Sequence, residues 1–365
     1  YQMLYSNNDK QKYKKMIITW GTKKNFDNEG IFYDNYFNTD SNILKDTLWL
    51  VIYNDKNINL KINDNIILYV KKNKNYFSNI IYIFKTFVFH FYSFNKILNL
   101  LSWQYLYSIK LIENIKTILF GDLKLVLLPY EGQPFQTFLI DYLKRNKRDI
   151  SVLGFIHSYP SLPSHLIKRK VVPDKIIVSC KDQVYSLKKY FLWNSNDIKY
   201  MNSARFIKKE KISMNNKIYL PINFNSVEKI SEFFSNLVDK LNQVNFKNFE
   251  VKNHPHSLNS KKHQKLITNI NKKMFEVSNR NLEKKNENFS IFIGSTGSII
   301  EALDNEISIY HIFEDEIFES YDSMLWPSIS SSILERNIFR YDKKNNQNLI
   351  NLGNENTVFS YFQNL

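Results

Sequence analysis

Four short stretches hold residue types and spacings that could do chemistry. In Phe289–Leu303 an apolar run ends in Gly294-Ser295-Thr296-Gly297-Ser298 and then resumes as an apolar helical pattern. Glycines let a backbone approach a ligand closely. The first turn of a helix offers unpaired N–H groups and a partial positive charge, which suit a phosphate. The hydroxyls of Ser295, Thr296 and Ser298 would add donors. Ser298 and Glu301 also fit an S-x-x-E capping box, and the two readings are compatible. About forty residues earlier, His254-Pro255 follows another apolar run, and a turn histidine there could donate to a phosphate oxygen. A third stretch, Pro129-Tyr130-Glu131-Gly132-Gln133, puts a carboxylate just past an apolar run, where it could serve as a general base or cap the next helix. His157 ends a fourth run and is a rival base.

The elements that must carry these loops follow from hydrophobic patterning. Short apolar runs alternate with longer helical patterns, which predicts parallel sheets covered by helices. Strands are expected at Lys15–Trp20, ending in Gly21, and at Asp46–Tyr53, Asn65–Val70, Leu123–Leu128, Val152–His157 and Asp174–Ser179. Helices are expected over residues 76–118, from the Glu131 loop to Asn146, and over Lys181–Phe191. Asn194–Asn216 is polar and reads as a linker. The rhythm then restarts, with strands at Lys217–Pro221, Phe249–Lys252, Phe289–Ile293 and Ile307–Ile312 and helices at Ser226–Asn242 and from Ser298. The Asn- and Lys-rich tracts at 259–287 and 343–354 read as exposed segments. The expectation is an α/β protein of two Rossmann-like domains facing each other across a cleft. Residues 1–205 would form an N-terminal acceptor-side domain and residues 206–365 a C-terminal nucleotide-binding domain. In open parallel sheets ligands sit beyond the carboxyl ends of strands, which places Gly21, Gly132 and Gln133 at the cleft.

Bulk properties bound the function. A chain of 365 residues with 43% hydrophobic content suits two cores. The net charge of +15 favours anionic partners. The lysines are scattered, and no nucleic-acid-binding motif is present, so no nucleic acid is expected. An anionic membrane surface is the candidate peripheral partner. Phe77–Leu101 is aromatic-rich but broken by Lys85, His90 and Lys96, so it reads as a buried helix pair or a lipid-touching surface, not a span. A single cysteine, Cys180, excludes an internal disulfide or a cysteine-based zinc site and suits a reducing cytoplasm. It ends an apolar run and reads as a buried structural thiol. The opening residues lack the apolar core of a signal peptide.

Glu131-Gly132, His254-Pro255 and Ser295-Thr296, in that order, resemble the motifs of bacterial GT-B-fold glycosyltransferases of the sialyltransferase, polysialyltransferase and Kdo-transferase groups. The resemblance spans roughly residues 120–310, in motifs of a few residues each. It implies an inverting transfer from a CMP-activated acidic sugar to a surface-glycan acceptor such as a lipopolysaccharide or capsule, at the inner face of the cytoplasmic membrane. Glu131 would be the base, His254-Pro255 would contact the CMP, and Ser295-Thr296 would contact the phosphate. Glu301 would bind the ribose. Those families often carry two acidic residues before the Gly; here Tyr130 takes the first place, which leaves His157 in contention as base. With no Asp-x-Asp motif at a strand end, metal-independent chemistry is expected, with the nucleotide-sugar as co-substrate and no cofactor. The alternatives are a UDP-sugar or CDP-glycerol donor on the same fold, or a non-catalytic nucleotide- or glycan-binding protein.

Overall fold

The structure, a computed structural model, describes residues 2–5, 13–55, 59–70, 103–116, 121–147, 149–159, 163–203, 214–254, 260–280, 288–294, 296–314, 321–345, 347–353 and 355–365. The aromatic stretch Phe77–Leu101, Pro255, Ser295 and the middle of the expected linker lie outside the described residues.

The first unit contains β1 (Gln2–Tyr5), β2 (Lys15–Gly21), the short pair β3 (Tyr33–Asp34) and β4 (Thr39–Asp40), β5 (Thr47–Tyr53), β6 (Ile66–Val70) and α1 (Trp103–Lys116). It continues with β7 (Leu125–Pro129), α2 (Pro134–Asn146), β8 (Ser151–Phe155), α3 (Pro163–Leu166), β9 (Lys175–Val178), α4 (Lys181–Lys189) and β10 (Ile198–Tyr200). Its eight-stranded sheet has the order β1-β6-β5-β2-β7-β8-β9-β10. All neighbours are parallel except β1, which runs antiparallel to β6. From β6 to β9 this is the doubly wound order of a Rossmann sheet, with its reversal point between β2 and β7. Burial on both faces explains the composition: every residue of β5, TLWLVIY, is buried.

The second unit contains β11 (Lys217–Tyr219), α5 (Val227–Lys240), β12 (Glu250–Lys252), α6 (Lys261–Ser278), β13 (Phe289–Ile293), α7 (Ser298–Asp304), β14 (Ser308–Ile312), β15 (Ile329–Glu335) and β16 (Ile338–Lys343). Its sheet order is β12-β11-β13-β14-β16-β15, parallel through β14 and closed by an antiparallel hairpin. The reversal point here lies between β11 and β13. The Ser226 hydroxyl caps α5 by accepting from the Lys229 N–H, and the apolar stripe Val227, Ile230, Phe234, Leu237 and Val238 packs on the sheet.

Three sequence expectations change. Ile198–Tyr200, expected within the linker, is an edge strand paired in parallel with β9. The tract 259–287 contains α6, an 18-residue helix whose His263, Leu266, Ile270, Met274 and Val277 form a buried stripe. In the tract 343–354, Leu349 and Ile350 are buried. Their amides donate to the carboxylate of Asp304, at 2.6 and 3.1 Å.

The units are tied together at several points. Asp182 accepts from the Ser328 amide at 2.9 Å and its hydroxyl at 2.8 Å. Ser186 donates to the Leu325 carbonyl. After β16 the chain returns to the first unit, where Cys180 bridges Ile350. A final helix, α8 (Val358–Asn364), closes the chain. Val358 and Phe362 enter the core beneath the first sheet, with Ile17, Leu125 and Met201. Lys15 donates to the carbonyls of Phe362 and Gln363, at 3.3 and 2.7 Å, a cation at a helix C-terminus.

Candidate functional site

Glu131 and His157 come from neighbouring parallel strands, β7 and β8, and the structure brings them together. Glu131 Oε1 lies 3.3 Å from His157 Nε2, with the side chains 32% and 7% exposed respectively. Gln133 Nε2 donates to the other oxygen, Glu131 Oε2, at 2.5 Å. Glu131 therefore does not cap α2. The N-cap residue is Gln133, followed by Pro134 at the first helical position, where the missing N–H leaves nothing unsatisfied.

Gln136, which no sequence motif marks, organises this loop. Its side chain is fully buried. Its Oε1 accepts from the amides of Glu131 and Gln133, at 3.0 and 3.1 Å, and its Nε2 donates to the Pro129 carbonyl at 2.7 Å. Gly132 has φ +67°, and a Cβ there would lie 2.1 Å from the His165 carbonyl oxygen. The loop thus demands glycine for both conformation and space. Tyr130, at the position where the resembled families often carry an acidic residue, is a core residue only 2% exposed. Burial pushes its hydroxyl up to about 12. A Cβ on Gly154 would meet Pro173 at 2.7 Å and the base of the Tyr130 side chain at 2.9 Å, so β8 leaves no room for one.

Beside the pair stands an aromatic wall. The Tyr36 ring meets His157 edge-on at 4.6 Å, and Trp20 packs on Tyr36 at 5.7 Å and on Phe135 at 5.9 Å. The loop that delivers Tyr36 turns around Asp34, a fully buried carboxylate that accepts from the Tyr36 and Phe37 amides at 2.7 and 2.9 Å. Burial raises the Asp34 carboxyl to about 6. Neither Asp34 nor Tyr36 carried a sequence signal beyond an Asp in a polar, aromatic loop. Gly21, expected at the cleft, ends β2 beside the first sheet's reversal point and is closely packed. The space a side chain would need is filled by the Phe32 ring at 2.7 Å and by Val51 at 2.9 Å.

In the second unit, the loop after β13 lies at the reversal point of its sheet. Gly294 has φ +71°, and a Cβ there would meet Pro221, just past β11, at 2.8 Å. The expected Ser298–Glu301 capping box does not form: Gly297 is the N-cap of α7. Thr296 Oγ1 accepts from the Ser298 amide at 3.3 Å. Ser298 is half-buried, and Glu301 is exposed on the first turn of α7. Its charge reaches the Tyr219 hydroxyl at the end of β11, adding to the rise that burial causes there. His254 is half-buried just past β12. Pro255 and Ser295 lie outside the described residues.

The two loops are joined through one buried cluster. Tyr159, two residues past His157, shares it with Ile299 and Ile300 of α7 and with Trp326. Cys180 sits in the same cluster, and burial pushes its thiol up to about 12, which suits an inert structural role. Among the described residues, no helix is long and apolar enough to cross a membrane.

Fold and site together define a mixed α/β protein of two doubly wound, Rossmann-like sheets, with a carboxylate–histidine pair after the first sheet's central strands and a glycine–hydroxyl loop at the second sheet's reversal point. No family model and no curated protein sequence matches the chain. Among solved structures, it is similar to a glycosyltransferase from Rickettsia africae ESF-5, at 12% identity and a TM-score of 0.35, over 83% of this chain and 79% of that one. It is also similar to an S. aureus MnaA–UDP co-structure, at 9% identity and a TM-score of 0.38, over 84% of this chain and 80% of that one.

Proposed function

We propose that this protein is a glycosyltransferase that moves a sugar from a nucleotide-activated donor to a glycan acceptor. The observation that carries the reading is placement. Glu131, and Gly294 with Thr296–Ser298, each sit at the reversal point of a doubly wound sheet, where such sheets bind ligands, and one buried cluster connects them. Glu131, half-buried, is the more exposed member of its pair and takes the proton from the acceptor hydroxyl. His157, buried behind it and 3.3 Å away, orients the carboxylate. The acceptor oxygen then attacks the anomeric carbon, and the nucleotide leaves with the bonding electron pair. His254, the hydroxyls of Ser295, Thr296 and Ser298, and the loop amides meet the charge on the leaving phosphate, and Glu301 holds the ribose.

The first donor to test is a CMP-linked acidic sugar, because the order of the Glu-Gly, His-Pro and Ser-Thr motifs resembles that of transferases using such donors. The acceptor in this reading is a surface glycan, and the +15 net charge supports an anionic acceptor or contact with an anionic membrane leaflet. Calorimetric titration with CMP, CDP, UMP, UDP and GDP, repeated on His254→Ala, tests it. Selective CMP binding weakened by the substitution supports the full reading. A preference for UDP or GDP keeps the transferase and removes the CMP donor, and no binding of any nucleotide removes the reading.

A further inference from the structure

We infer that His311 is the positioning residue for the Gly294 loop, holding its backbone in the conformation that admits a phosphate. The inference rests on the nucleotide reading above. His311 lies in β14, fully buried, with Nε2 at 3.0 Å from the Gly294 carbonyl oxygen. A carbonyl only accepts, so Nε2 carries the proton. Nδ1 is then bare and accepts from the Tyr341 hydroxyl at 3.4 Å. That hydroxyl in turn accepts from the Tyr321 amide at 3.2 Å. One protonation state satisfies the whole relay. Burial pushes the imidazole down to about 4, which keeps it neutral in this tautomer at ordinary pH.

Gly294 is thereby fixed on both sides. Its amide donates to the Ile312 carbonyl at 2.7 Å, and its own carbonyl is held by His311. The relay also reaches the junction between units. Tyr321 packs on Trp326 at 5.1 Å, and Trp326 packs on Tyr159 at 6.2 Å. A histidine in an apolar strand gave the sequence no sign of this role.

Hydrogen exchange of the peptide covering residues 289–303 and nucleotide titration test the inference in His311→Phe, His311→Gln and Tyr341→Phe. His311→Phe should speed exchange in the loop and weaken binding of CMP or UDP, whichever the wild type prefers, by about tenfold or more. Binding of the matching nucleoside, cytidine or uridine, should change less than about twofold, since only the phosphate contact is lost. His311→Gln, which keeps a donor, should recover most of the affinity. Tyr341→Phe, which leaves Nε2 in place, should fall between and guards against a His311→Phe chain that fails to fold. Unchanged loop exchange, or equal loss for nucleoside and nucleotide, overturns the inference. A wild type that binds no nucleotide while His311→Phe still loosens the loop overturns the nucleotide reading instead.

Discussion

Gly132→Ala should destabilise the first unit by an amount the structure sets. At φ +67° an alanine costs about 1–2 kcal/mol relative to glycine. The new Cβ would lie 2.1 Å from the His165 carbonyl oxygen and 2.8 Å from its carbon. Ordinary contact requires an opening of about 1 Å or more. The adjacent Leu166 carbonyl holds the Trp193 indole N–H at 2.7 Å, so movement of this turn weakens that bond, at about 0.5–1.5 kcal/mol. The sum is about 1.5–3.5 kcal/mol, a fall in Tm of roughly 3–14 °C for a unit of this size. Differential scanning calorimetry and urea titration measure it. Gly132→Asn separates the parts, because asparagine tolerates positive φ but keeps the Cβ, and it should recover only the conformational share. A Tm within about 2 °C of wild type for Gly132→Ala would refute the argument that close approach fixes this loop.

Gln136→Leu should cost about 2–4 kcal/mol in urea unfolding, because it leaves the Glu131 and Gln133 amides and the Pro129 carbonyl without their partner. Asp34 makes stability fall as pH rises. Its carboxyl titrates near 6 when folded and near 3.8 otherwise, so the folded state binds more protons between those values. Wild type should therefore lose about 2–2.5 kcal/mol relative to Asp34→Asn between pH 4 and pH 7, and a flat difference in paired melts would contradict this. Cys180 should resist a thiol-labelling reagent in the native protein and react on unfolding, because it is buried with its thiol held near 12; labelling followed by mass spectrometry reads this out.

Much of the architecture was legible because buried parallel strands announce themselves. Runs such as Thr47–Tyr53 and Phe289–Ile293 are apolar at all but one position and buried throughout, and the candidate residues just after β7, β8, β12 and β13 stand out because each follows such a run. The Glu131–His157 contact was not legible, since it depends on which strands become neighbours. Gln136 and Asp34 were hidden for a different reason: a buried polar side chain that satisfies backbone amides looks in sequence like any surface residue. The Asn- and Lys-rich composition masked α6, whose apolar stripe is spaced three to four residues apart amid solvated positions. The Ser-rich strand β15 lacks an apolar run because it is a largely exposed edge strand. The return of α8 to the first core depends on long-range packing, and a boundary at residue 205 assigns that helix to the other half.

The central claim is that Glu131 acts on the acceptor while the second unit holds the nucleotide. It is tested most directly by comparing wild type with Glu131→Gln for release of free nucleotide from CMP-linked and UDP-linked sugars, with nucleotide affinity measured on the same samples. Loss of a general base predicts turnover lower by about 10²–10⁴-fold. Nucleotide affinity should stay within about twofold, because the carboxylate belongs to the other unit. Near-normal turnover in Glu131→Gln, or a parallel loss of nucleotide affinity, would contradict it.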